Sequence, residues 1–294
     1  MSSANSWDAL NAELWSAKMQ VNLEKSLVAF AIARTELRDE IKGGDVIHRM
    51  YVSNVGTAAY TAGTDVVISG CTATDDTITI DQKYVSAFYI DDIEMLQASL
   101  NYAADLANDS AYQLRDLIDI AVLDNTNTVG VSALGVSGAA TGAFVTGTTA
   151  AASLTAITAT SATVIHVFNA ATKWLRTGNV EQDGSWVAVI SPAIAGLIEL
   201  AAIGNGFNIA DSSLKNGYAG DFLGFKIYVS NNLPTAKAYI GKNKCIDLIM
   251  QRAPKMDIKE EPRKLGKNFI ASTVWGDGVL HKNLDRFLNV MITA

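Results

Sequence analysis

The chain has 294 residues, 49% of them hydrophobic and 18% charged, with a formal net charge of -7 and a pI near 5.0. That excludes global disorder and disfavours a nucleic-acid grip, where affinity comes from Lys and Arg neutralising phosphates. Only Cys71 and Cys245 occur, with no CxxC, so free thiols in a reducing compartment are expected. The N-terminus lacks a basic and an apolar signal region, and no apolar run is long enough to span a bilayer. A soluble protein made in a cytoplasm, with no membrane partner, is the expectation.

Residues 6–40 read as helix, capped by Ser6, with Leu10, Leu14, Ala17, Val21 and then Leu27, Val28, Ala31 and Ile32 on one stripe. The stripe slips near Asn22–Glu24, which implies a kink. It needs a surface to lie on, either the chain's own body or a neighbouring subunit. Gly43-Gly44 ends it. Val46–Ser53 and Asp65–Gly70 then read as the two limbs of a β-hairpin with a long tip. Large core residues are sparse in it, and a two-stranded ribbon is marginal alone in water, so this arm needs a partner surface.

From Thr77 to Ile90 the sequence alternates as one strand, with Ile78, Ile80, Tyr84, Phe88 and Ile90 on one face. Asp91 and Asp92 follow, placed to cap a long amphipathic helix. Its predicted stripe is Ile93, Leu96, Leu100, Ala104, Ala107, Ala111, Leu114, Ile118 and Ala121. At 1.5 Å per residue such a helix runs roughly 45–50 Å, a length that suits an extended scaffold.

Thr126–Ala156 carries no Asp, Glu, Lys or Arg and reads either as a loose surface loop or as short strands around Gly142–Val145. Beyond it, Ala159–Thr177 is a helix with Val164, Val167, Phe168, Ala171, Trp174 and Leu175 as its stripe, ended by Gly178. Trp186–Ile190 is an apolar run expected to be buried on both faces. Ser191-Pro192 opens a helix to about Ile203, and a polar loop reaches Gly220. Strands are predicted at Gly224–Ser230, Ala238–Gly241 and Cys245–Met250. The mixed charges from Lys255 to Lys267 suit an edge strand and turn. Phe269–Trp275 and Leu288–Thr293 close the chain and are expected to pack against the long helix.

Concentrated chemistry is missing. His48, His166 and His281 lie in no metal signature, and no nucleophile elbow, P-loop or dinucleotide fingerprint occurs. Asp91-Asp92 suits capping rather than catalysis, Asp75-Asp76 reads as a turn, and His166 reads as a structural histidine. No catalytic, cofactor-binding or metal residue is assigned, and no enzyme activity is expected.

The order of elements, with Ile80-Asp81, Ala87–Glu94, Val189–Pro192, Gly224–Pro234, Arg263–Gly266 and Trp275–Gly278, resembles the major capsid protein of tailed bacteriophages, the Hong-Kong-97-like α+β fold. The resemblance spans nearly the whole chain and rests on the joint order of the segments rather than on one specific motif. It implies an N-arm (1–45), an extended hairpin or E-loop (46–90) and a peripheral domain with a spine helix (91–130 and 251–294). It also implies a Gly/Thr/Ala-rich connection (131–154) and an axial domain (155–250). Copies of the chain would form hexamers and pentamers of an icosahedral shell around double-stranded DNA, with possible scaffold, portal and decoration proteins, in the virion. Some family members join subunits by Lys–Asn isopeptide bonds from an arm lysine; between Val46 and Gln82 this chain has no Lys, so a shell without such crosslinks is expected. The alternatives are an encapsulin-type compartment, a surface structural protein suggested by 126–156, and an enzyme built on 155–250.

Overall fold

The computed structural model describes residues 24–36, 44–66, 68, 70–93, 103–128, 130–137, 144–148, 154–204, 218–260 and 265–293. Its centre is a nine-stranded mixed sheet in which β8 (Trp186–Ile190) sits between β10 (Phe225–Val229) and β11 (Lys237–Lys242). The path continues from β11 through β14 (Phe287–Thr293) and β4 (Ser132–Ser137) to β5 (Phe144–Thr148). On the other side β10 pairs with β9 (Tyr218–Phe222), while β6 (Leu154–Thr155) and β7 (Ile157–Thr158) pair with β4 and β14.

All five residues of β8 are buried, and they divide by alternation. Trp186, Ala188 and Ile190 face a core shared with helices α3 (Ser161–Thr177) and α4 (Pro192–Gly204). Val187 and Val189 face a second core that holds Ile118, Val122, Tyr239, Trp275 and Phe287. Helix α3 starts on a capping box in which Thr160 Oγ1 accepts the Thr163 N–H and Thr163 Oγ1 accepts the Thr160 N–H.

A second, three-stranded sheet runs in the order β12 (Asp247–Glu260), β13 (Gly266–Gly278), β3 (Gln82–Asp91). Helix α2 (Ala103–Asp124) lies against it; its 22 residues span about 33 Å. The third sheet is the isolated antiparallel ribbon β1 (Val46–Val52) with β2 (Ala73–Thr79). Between Val28 and Ala33 a single helical turn, α1 (Ala29–Ile32), interrupts an otherwise extended N-terminal strap.

Several expectations are corrected. The strand predicted over Thr77–Ile90 is two strands in two sheets, broken at Ile80-Asp81, where the Ile80 N–H turns to the Asp45 carbonyl at 2.6 Å. The return limb of the hairpin is Ala73–Thr79, not Asp65–Gly70, so Asp75 and Asp76 lie in a strand rather than a turn. Within 24–36 the predicted helix is confined to four residues, because the strap's N–H groups bond across to other elements; residues 1–23 and 37–43 lie outside those described. In α2, Leu114 and Ile118 are buried as predicted, Ala104 is exposed, and Leu96 and Leu100 fall outside the described residues.

The segment 126–156 supplies β4, β5 and β6, so the strand reading of it holds. The loop predicted before Gly224 contains β9, joined to β10 by a tight turn with Leu223 and Gly224 at φ 50° and 86°. Finally, β13 packs against α2 as expected, while β14 runs between β11 and β4 in the large sheet, where Leu288 and Val290 join the first core and Phe287 shares the second with Ile118 and Val122 of α2.

Candidate functional site

The projecting element is the β1–β2 arm. Seven residue pairs hold it, from Val46–Thr79 to Val52–Ala73, a ladder of about 23 Å. One more bond, from the Ser53 N–H to the Thr72 carbonyl at 3.0 Å, closes the ribbon. Beyond it the chain makes a tip with a turn at Thr61–Thr64 and no regular strand among its described residues. Val55, Tyr60, Val66 and Ile68 are exposed there, Ile68 at 91%. A folded chain does not ordinarily hold four large apolar groups in water on a ribbon without a core, so the tip is built to meet another surface.

The root of the arm is firmly seated. Ile78 and Ile80 pack on Ile249, with Ile47, Val274 and Leu280 around them. Tyr51 stacks on His281 at 4.6 Å, and the His281 backbone N–H donates to Asp76 Oδ2 at 2.5 Å. His48 Nδ1 and Asp75 Oδ2 pair at 2.6 Å on the exposed side. The chain then crosses β13 at Gly276, where a Cβ would sit 2.3 Å from the Thr79 carbonyl oxygen and 2.9 Å from Ile80 Cα. Gly276→Ala therefore has to push backbone apart; we expect a loss of about 1–3 kcal/mol, read as a lower denaturant midpoint.

From the root, β3 runs to Asp91, whose Oδ1 accepts the Ile93 N–H at 2.8 Å, the local bond expected of a cap; residues 94–102 lie outside those described. The Tyr89 hydroxyl donates to the Leu265 carbonyl at 3.0 Å and ties this joint to β13.

The strap crosses α2 on a buried polar cluster that periodicity alone does not reveal. Asp119 Oδ1 accepts the N–H groups of Val28 and Ala29 at 2.7 and 2.6 Å, while its Oδ2 accepts Asn232 Nδ2 at 2.8 Å. Asn232 Nδ2 also donates to Asp116 Oδ1, and Lys25 Nζ reaches both Asp116 and Asn232. Burial pushes the Asp119 carboxyl up from its ordinary value, against the donors that hold it down. Further along, Arg34 Nε pairs with the buried Asp247 at 2.5 Å, and desolvation raises that carboxyl as well. The sequence reading missed this cluster; the signal that could have found it is two acids, Asp116 and Asp119, three residues apart beside the apolar positions Ile118 and Val122.

The remaining candidates do not converge on a chemical centre. His166 is exposed on α3, contrary to the structural role read for it, and it lies on a different element from the arm's His48. Burial pushes the Cys245 thiol up to about 11, which leaves it protonated and unreactive at neutral pH, while Cys71 is exposed. Among the described residues no three His, Cys, Asp or Glu side chains group to hold a metal ion, and no helix is long and apolar enough to cross a membrane. A groove of about 480 Å³ lies between Leu117 and Ile120 of α2, Tyr84 of β3, Trp275 and Leu233; Lys25 at its edge is already bonded into the strap cluster. The described residues thus form a packed body, a seated arm root and an exposed tip.

Solved structures share this arrangement over nearly the whole chain. A structure from Mycobacterium phage Che8 superposes with a TM-score of 0.76 at 18% identity, covering 98% of both chains. The capsid of cyanophage P-SCSP1u gives 0.72 at 16%, over 99% of this chain and 95% of its own. The mature capsid of bacteriophage PhiM1 gives 0.70 at 12%, over 96% and 92%. The chain has the phage major capsid fold. That fold is the Hong-Kong-97-like α+β fold expected from the order of elements in the sequence. No protein-family model and no curated protein sequence matches the chain.

Proposed function

We propose that this chain is a major capsid protein whose copies close into an icosahedral shell around the double-stranded DNA of a tailed phage. The observation that carries the reading is the full-length capsid fold combined with an arm that has a seated root, an apolar exposed tip and no core of its own. In this reading residues 1–45 form the N-arm, 46–90 the E-loop, and 91–130 with 251–294 the peripheral domain that carries α2. Residues 155–250, with α3 and α4 on the large sheet, form the axial domain that meets its copies at hexamer and pentamer centres. β4, β5 and β14 pair into the same large sheet. A negatively charged container suits a cargo that it encloses without gripping. Its place is the virion; scaffold, portal and decoration proteins are the further partners such a shell would use.

The test is direct. Purified protein, alone or with a co-expressed scaffold, is expected to sediment as capsomers or closed particles visible by negative-stain microscopy. Boiled and reduced, those particles should run as a single monomer band, because no Lys lies between Val46 and Gln82 to supply an arm amine. A covalent ladder would overturn the uncrosslinked shell, and a monomer that turns over a small substrate would overturn the capsid reading. Particles filled with an enzyme rather than DNA would favour the encapsulin-type alternative.

A further inference from the structure

The end of α2 meets β11 on a group of side chains that the arm, its root and the strap do not use. Asn125–Asn127 forms a single turn after α2, and there Asn127 Oδ1 accepts Lys237 Nζ of β11, 110 residues further along the chain. The nitrogen of the same amide donates to Asp124 Oδ1 at 2.6 Å. From β14, Asn289 Nδ2 is directed at Asn127 Oδ1 at 3.5 Å. Asn289 is buried, and its own Oδ1 has no partner among the described residues. Register brings these groups together. Lys237 lies opposite Met291 and Tyr239 opposite Asn289, so Lys237, Tyr239 and Asn289 share one face of the sheet. It is the face on which Tyr239 joins the core that holds Ile118 and Val122 of α2.

An amine, a carboxamide and a carboxylate thus meet at one side chain. Amines attack amides very slowly in water, but holding the two in contact replaces the encounter, and here each atom of the amide has its own neighbour. We propose that Lys237 and Asn127 form an isopeptide bond within one copy, a single-turnover self-modification in which Asp124 carries the proton. The Lys237 ammonium first releases a proton to water. The amine nitrogen then bonds to Asn127 Cγ, and negative charge collects on Oδ1, where Asn289 donates. Asp124 takes a proton from the attacking nitrogen and delivers it to Nδ2, its hydrogen-bond partner. The Cγ–Nδ2 bond breaks, and ammonia leaves, taking up the proton released at the start. The atoms balance without any further reactant. The product joins the end of α2 covalently to the large sheet and places a new amide near the open acceptor of Asn289. Both partners lie in the same chain, so boiled particles still run as monomers, and the proposal stands apart from the capsid reading.

Intact-mass and peptide mass spectrometry of the purified full chain, sampled over time at neutral pH, tests it. The chain is expected to become lighter than its sequence by one ammonia and to yield, on digestion, two peptides joined through Lys237 and Asn127. Lys237→Arg keeps the cation but not the nucleophile, so it is expected to keep its full mass. Without the closed loop its thermal midpoint is expected to fall by roughly 5–10 °C. Asp124→Ala is expected to fold and to form the bond at least about tenfold more slowly. Full mass in the unaltered chain, with no joined peptide, would overturn the proposal. So would an ammonia loss that persists in Lys237→Arg, which would place it in a succinimide at Asn127. An unchanged rate in Asp124→Ala would remove Asp124 from the step.

Discussion

A chain in which Asn54–Thr64 is replaced by a short Gly-Ser link is expected to fold normally and to form no closed particles. The excised residues lie beyond the last rung of the ribbon, which is held by its ladder from Val46 to Val52 and by the bond from Ser53 to Thr72. None of the deleted side chains belongs to any of the three buried clusters. Shortening a surface loop changes closure entropy by well under about 1 kcal/mol, so the denaturant midpoint should barely move. Assembly is different, because the deletion removes Val55 and Tyr60, which are at least 65% exposed in the single copy. Sedimentation separates the outcomes: slow species only are expected, and normal shells would mean that the tip makes no essential contact.

The largest stability loss is expected from Asp119→Ala. Its carboxylate is the acceptor for two buried backbone N–H groups and for Asn232, and alanine leaves all three without it in a closed interior. Orphaning such donors costs about 3 kcal/mol in all after partial relaxation. Asp119→Asn is expected to cost less, since its carbonyl oxygen can still accept from Val28 and Ala29, although its amide then meets that of Asn232. Equilibrium unfolding gives the size of the effect, and hydrogen exchange gives its place. Faster exchange confined to Val28 and Ala29 in the alanine variant is the expected pattern. An unchanged midpoint would show that the strap is not held through Asp119.

Elements whose own residues determine them were legible in the sequence. Trp186–Ile190 is apolar at every position because both faces are covered, and α3 starts and stops on its own cap and glycine. Asp91 could be read as a cap because the bond it makes is local. The strap could not be read in this way. Leu27, Val28, Ala31 and Ile32 have helical spacing, yet the N–H groups of Val28 and Ala29 are bonded to α2 and that of Arg34 to the Ile246 carbonyl. Long-range partners outweighed local propensity there. The break at Ile80-Asp81 was hidden for a similar reason. Alternation continues through it, and only the crossing over Gly276 shows that the strand changes sheets.

The strap also has a consequence for the order of events in a newly made chain. Arg34 and its partner Asp247 are 213 residues apart, and the Arg34 N–H and carbonyl bond the backbone of Ile246 and Leu248. Closing so long a loop is entropically costly until the intervening sheets exist. This segment emerges from the ribosome before β12, and its Arg34 end has no partner until β12 is made. It therefore docks late, after the large sheet has formed, and its arrival marks a finished subunit.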